Sequence, residues 1–239
     1  MSQAVTDVSA DEPPEPSSRT AHLVGRALGD VQSPSIPVRE AWSYGISDLL
    51  ARLPHVPAAA VKVFGLLDRV GRLGLSPTHV TLDADSLAWN SLSELRVGSL
   101  LDVASEKAVD VEVNRLLGKL PPVPMKKWVA QRLSRVLLAL AVVVVQRSLR
   151  ADSESAVKTV PVAVVTRGRF GRTNVTHPGL FAMLICAAVP SAADAIVATA
   201  KSHGIPVVVE THSTTRNYAA LAEERLNNLS KRLRKEEEE

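Results

Sequence analysis

Two stretches of this chain carry the same apolar spacing, and that pairing restricts what it can fold into more than any other feature. Val109, Val113, Leu116, Leu117 and Leu120 recur at i, i+4, i+7, i+8 and i+11, and Val129, Leu133, Val136, Leu137 and Leu140 repeat the pattern. A repeat near 3.6 residues puts all five side chains on one face of an α-helix. Pro121, Pro122 and Pro124 break the chain between the two stretches, which predicts a packed helical pair. The second helix runs into the ten apolar residues 136–145. A bilayer core needs about twenty, so the run reads as buried core rather than a span. Its β-branched part, residues 139–145, is compatible with either helix or strand.

Around this pair the pattern predicts an α+β domain over residues 36–210, with a mixed β-sheet and packed helices. Val38, Trp42, Ile46, Leu49, Leu50 and Leu53 share a helical face, and Val63, Phe64, Leu67 and Val70 share another. Pro54 and Pro57 lie between them, predicting an N-terminal helical hairpin over residues 36–75. The segment HVTLDADSLAWNSLSELRV, residues 79–97, reads as three short strands joined by polar turns, an antiparallel meander. Residues 159–166 read as a strand, with 172–176 as its hairpin partner. Residues 179–189 fit helix or buried strand, residues 191–203 a helix stopped by Gly204, and IPVVVE (205–210) a buried strand. That last sequence of elements is also the closing half of a βαβ unit, which leaves an α/β fold as the alternative. Residues 1–35 hold five acids, two bases and a Ser/Pro-rich stretch, which predicts a disordered acidic tail with a short helix near 21–28. Residues 211–239 read as a charged C-terminal helix with a thin leucine stripe and a solvated glutamate end.

The net charge of +3 hides a strong segregation. Residues 113–193 contain twelve bases against two acids, whereas residues 1–35 sum to −3. Segregated charge makes a field, and such a field attracts anions. Lys126, Lys127, Arg132 and Arg135 follow one another along the second helix of the pair, and Arg167, Arg169 and Arg172 surround the hairpin turn. These seven are the candidate anion- or partner-binding residues. Lys126, Lys127 and Trp128 also suit an interfacial anchor, with core packing of the tryptophan as the plainer reading.

Catalytic and metal-binding signatures are missing from the sequence. Cys186 is the one cysteine, set in an apolar run that predicts an inert buried thiol and a reducing compartment. The six histidines are scattered without H-x-x-x-H or H-E-x-x-H spacing, and no Walker A, G-x-G-x-x-G or G-x-S-x-G motif occurs. Gly168-Arg169-Phe170-Gly171 matches the GxxG loop of KH domains, but the β-branched run before it predicts a hairpin turn instead. Asp83-x-Asp85 likewise reads as a turn rather than a cation site, so no metal and no cofactor are expected.

The meander at 79–97, through Trp89, Leu92, Leu95 and Val97, resembles the opening strands of bacterial PH-like domains. The helical pair and the strand after Gly204 depart from a plain PH roll. The resemblance implies a lipid- or protein-binding module without catalysis. With the charge pattern, it leads to the expectation of a non-enzymatic adaptor or peripheral binding protein whose basic central region contacts an anionic lipid surface or an acidic protein. Such a protein would be cytoplasmic or peripheral to the inner face of the membrane, since no secretory signal pattern opens the chain. A nucleic-acid binder using residues 126–135 and the Arg167/Arg169/Arg172 turn is the alternative. An enzyme with a pocket near His212 and Ser213, just after the IPVVVE strand, is a third.

Overall fold

The computed structural model describes residues 18–53, 64–120, 126–150, 159–168, 172–210 and 218–238. The chain opens with α1 (Arg19–Gly29), β1 (Trp42–Gly45) and α2 (Ile46–Ala51), followed by α3, whose described residues are 64–67. Four strands come next: β2 (Arg72–Leu75), β3 (His79–Leu82), β4 (Asp85–Ala88) and β5 (Leu92–Ser99). After them run α4 (Leu100–Val103), α5 (Glu106–Gly118) and the long α6 (Lys126–Arg150). The hairpin β6 (Thr159–Arg167) and β7 (Thr173–Thr176) leads into α7 (Leu180–Ala188), α8 (Ala192–Ser202), β8 (Val207–Glu210) and α9 (Tyr218–Glu238). This is the α+β class, built on two sheets rather than one.

The first sheet is an antiparallel meander in the order β1-β2-β3-β4. The second has the order β7-β6-β5-β8 and is mixed, because β8 runs parallel to β5. Its parallel pair is the closing unit seen in the sequence, but every other pairing is antiparallel. Helix α7 packs against β2 of one sheet, β6 of the other, and α6. All of its residues but Met183 are buried, which settles 180–188 as a core helix.

Helix α6 is the axis of the helical layer, with α1, α5, α7 and α9 packed around it. Residues 136–145 are all buried. The β-branched stretch therefore stays helical, because packing from several sides outweighs intrinsic strand preference. A helix also satisfies every backbone N–H and C=O in that dry surrounding without a partner strand. The apolar run of ten residues belongs to a helix whose residues 126–149 match a membrane span in length and composition, yet 67% of its most apolar window is buried within the fold.

Several expectations need correction. The short helix expected near 21–28 forms as α1, but it is packed rather than part of a loose tail: it buries Ala21, Val24, Ala27 and Leu28, packs on α6, and is capped by Ser18, which accepts from the Ala21 N–H at 3.0 Å. The helical hairpin of 36–75 is replaced at both ends by strands, for β1 pairs with β2. The spacing of Val38, Trp42 and Ile46 imitates a helix, but Val38 lies in irregular chain before β1, Trp42 in β1 and Ile46 at the start of α2. In the meander, β3 and β4 pair as read, whereas β5 leaves for the second sheet. The IPVVVE strand is an edge, not a core strand: Val208 and Val209 are exposed. Gly204, at φ +73°, ends α8 as the sequence implies, because that conformation is open to glycine without strain.

Helix α9 is no loose appendage. Ala222, Leu229 and Leu233 are buried and Leu226 packs beside them, so the i, i+4, i+7, i+11 stripe lies along α6. The glutamate end is partly used as well. Glu237 accepts from the Thr20 N–H at 3.0 Å and from its hydroxyl, and Glu236 accepts from the Ser134 hydroxyl at 2.8 Å.

Candidate functional site

The bases singled out in the sequence lie on two elements. Lys126 and Lys127 are exposed in the first turn of α6, and Arg132 and Arg135 are half-buried one to two turns on. Arg167 is exposed at the end of β6 and Arg172 is exposed just before β7; Arg169 lies outside the described residues, as do His212 and Ser213. The first set belongs to the helical layer and the second to the outer hairpin of the second sheet. Two further members of the basic stretch point into the fold. Arg147 donates to the Ala188 carbonyl at 2.9 Å and the Gly25 carbonyl at 3.3 Å, tying α6 to α7 and α1. Arg115 is held in a buried cluster described below. Trp128 stands 6.1 Å from Phe64, ring centre to ring centre, and packs on the core.

Where α5, α6 and α9 meet, a groove contains Arg135. One part, of about 230 Å³, is lined by Val113, Ala130, Gln131, Ser134, Arg135 and Glu236. A second part, of about 610 Å³, shares Glu236 and is flanked by Lys231, Arg232 and Lys235 of α9. Burial, together with the neighbouring Arg135 charge, holds the Arg132 guanidinium below the usual arginine range. The buried Nε of Arg135 has no hydrogen-bond partner among the described residues. Arg232 is committed to Asp110, to which it donates twice, at 3.0 and 2.5 Å, and to the Glu106 carbonyl at 3.1 Å. Its pKa rises, chiefly through the hydrogen bond to Asp110. Lys231 and Lys235 make no ion pair among the described residues, so they and Arg135 supply the groove's uncommitted positive charge, while Glu106 and Glu236 line it as carboxylates beside Arg232.

Sequence reasoning missed Lys231 and Lys235 because residues 217–239 sum to −1 as a block. Their spacing held the signal. They are four residues apart, and the leucine stripe that docks α9 on α6 fixes which face they share.

A second constellation is buried between α5, the β3–β4 turn and the start of α7. Glu112, 3% exposed, accepts from the Arg115 Nε and Nη2, both at 2.8 Å, and from the Phe181 N–H at 3.2 Å. Asp83, with φ +58°, accepts from the Arg115 Nη2 at 3.1 Å and from the Gly179 N–H at 2.6 Å. Arg115 also donates to the Val70 carbonyl at 2.9 Å. One guanidinium thus faces two carboxylates, while amides of the α7 N-terminus share the excess negative charge. Burial raises the Asp83 carboxyl from 3.8 to about 6, opposed by Arg115 and the Gly179 N–H. Burial acts to lower the Arg115 pKa, but Glu112 and then Asp83 raise it by more. Gly179 is required for this approach: a Cβ there would stand 2.8 Å from the Glu112 Oε1. The Asp83-x-Asp85 turn is therefore a turn that also clamps three elements. Among the described residues no group of His, Cys, Asp and Glu could hold a metal ion.

Comparison with protein-family models, with curated proteins and with solved structures finds no match to this chain.

Proposed function

We propose that the protein is a binding adaptor that takes an acidic segment of a partner protein in the groove between α5, α6 and α9. The observation that carries this reading is Arg135, which lines the groove with a buried Nε that has no hydrogen-bond partner among the described residues. Arg132 stands about one turn away on the same half-buried stretch of α6, and its charge repels that of Arg135. A carboxylate entering the groove beside Arg135 would offset that repulsion, and a charge-assisted contact there is stronger than one in open solvent. Lys231 and Lys235 flank the same groove, and Lys126 and Lys127 stand at the start of the helix that forms its floor. The concave shape suits a narrow chain bearing carboxylates better than a flat bilayer surface. Arg167 and Arg172, on the β6–β7 hairpin, are not part of this groove and are assigned no share in it.

The test is a panel of charge reversals read by fluorescence anisotropy of a labelled glutamate-rich peptide. The double variant Arg135→Glu/Lys235→Glu should abolish the anisotropy rise, while Arg167→Glu/Arg172→Glu should leave it near the wild-type value. Loss of binding in the hairpin variant alone would overturn the assignment. Tighter binding to anionic vesicles or duplex DNA than to the peptide would replace the partner class.

A further inference from the structure

A cavity of about 540 Å³ opens between the N-terminal half of α5 and the start of α7, away from the groove assigned above. Its size is that of small-molecule sites, which pair an apolar lining with a few polar groups. Val103, Val111, Leu180 and Met183 supply apolar surface. Val111 is 60% exposed, and it lies on the same side of α5 as the cavity. Exposed aliphatic surface inside a concavity is what an apolar ligand removes from water.

The polar groups decide the sign of the ligand's charge. Glu112 and Arg115 line the cavity but are already joined to each other, to Asp83 and to the Phe181 N–H, so neither is available without breaking the clamp. Lys107 makes no ion pair among the described residues and is exposed at the cavity edge. His177 also lines the cavity, with Nδ1 placed 3.0 Å from the Val162 carbonyl. A carbonyl only accepts, so Nδ1 carries the hydrogen and Nε2 is not needed for that contact. The one uncommitted full charge is therefore a cation.

We infer that this cavity binds a small apolar molecule bearing a single carboxylate, with its hydrocarbon part against Val103, Val111, Leu180 and Met183 and its carboxylate beside Lys107. The inference rests on the cavity alone and is independent of the groove between α5, α6 and α9.

The experiment uses the full chain labelled with ¹³C-methyl methionine, which gives three methyl signals, since the sequence has three methionines. The Met183 signal is assigned through Met183→Leu. Decanoate should shift it saturably and decylammonium should not. Lys107→Glu should weaken decanoate binding about tenfold or more. Lys107 is exposed in the first turn of α5, where an acidic side chain suits the helix end, so this variant should fold. Val111→Trp, at an exposed position, should fill the cavity and abolish the shift. A Met183 methyl that does not move with decanoate, or moves equally with decylammonium and in Lys107→Glu, overturns the inference.

Discussion

Replacing Asp83 with asparagine should stabilise the protein above neutral pH, although the wild-type aspartate is ion-paired. Burial of Asp83 lifts its carboxyl from 3.8 to about 6, and the side chain is only 9% exposed. A native pKa above the unfolded one means that the native state holds the proton longer. The stability that Asp83 contributes is therefore greatest below about pH 4, falls as pH rises through the window up to about 6, and stays lower beyond it. The rise corresponds to roughly 3 kcal/mol once both states are ionised. Asparagine has no proton to lose, so that cost vanishes. Its amide oxygen still accepts the Gly179 N–H, and asparagine tolerates the left-handed φ of +58°. What is lost is the Arg115 contact at 3.1 Å, about 1–2 kcal/mol. Arg115 keeps Glu112 and the Val70 carbonyl. The net expectation is a gain of about 1–2 kcal/mol near pH 8, turning into a loss of about 1–2 kcal/mol near pH 4. Urea denaturation of both proteins across that range reads it directly. A constant difference at all pH values, or a variant destabilised near pH 8, would refute the reasoning that burial outweighs the ion pair.

Other expectations follow from the same packing. Gly179→Ala should cost about 2–4 kcal/mol in urea denaturation, because its Cβ would press on Glu112 and Arg115 and disturb the clamp. Leu229→Ala or Leu233→Ala should cost about 2–4 kcal/mol, whereas Asp110→Asn, at a pair whose carboxylate is 54% exposed, should cost under about 1 kcal/mol; thermal melts would separate apolar from ionic attachment of α9. Tyr44→Phe should leave stability unchanged or raise it by about 1 kcal/mol, since the buried Tyr44 hydroxyl has no hydrogen-bond partner among the described residues and burial pushes its pKa up to about 12. Cys186, 2% exposed, should react with a thiol reagent only as the protein unfolds, measured by absorbance against denaturant.

The helical layer was legible because Val109–Leu120 and Val129–Leu140 repeat one spacing over three turns, far longer than chance alternation sustains. Strand β1 was hidden for the same reason in reverse: Val38, Trp42 and Ile46 fall four apart although irregular chain, a strand and a short helix carry them in turn. The valine run of 139–145 shows that intrinsic preference yields when neighbouring helices bury a segment from several sides. IPVVVE misled in the opposite sense, since a run of valines does not say whether a strand has neighbours on both edges. The buried cluster was out of reach as a constellation, because Asp83, Glu112 and Gly179 meet only through the tertiary fold. Its one local trace is Glu112 itself, a carboxylate three residues after Val109 and four before Leu116, on the apolar stripe of α5. The basic stretch was visible as charge along the sequence. Its division between a groove, an outer hairpin and internal ties through Arg115 and Arg147 depends on the packing of α5, α6 and α9.

Salt dependence of acidic-peptide binding tests the groove most directly. The logarithm of Kd for the glutamate-rich peptide should rise steadily with the logarithm of salt concentration, as exposed and half-buried cations are screened. Arg135→Glu/Lys235→Glu should remove that dependence along with the affinity. Binding that ignores salt, or that keeps its full salt dependence in the double variant, would contradict a groove that recognises its partner through these cations.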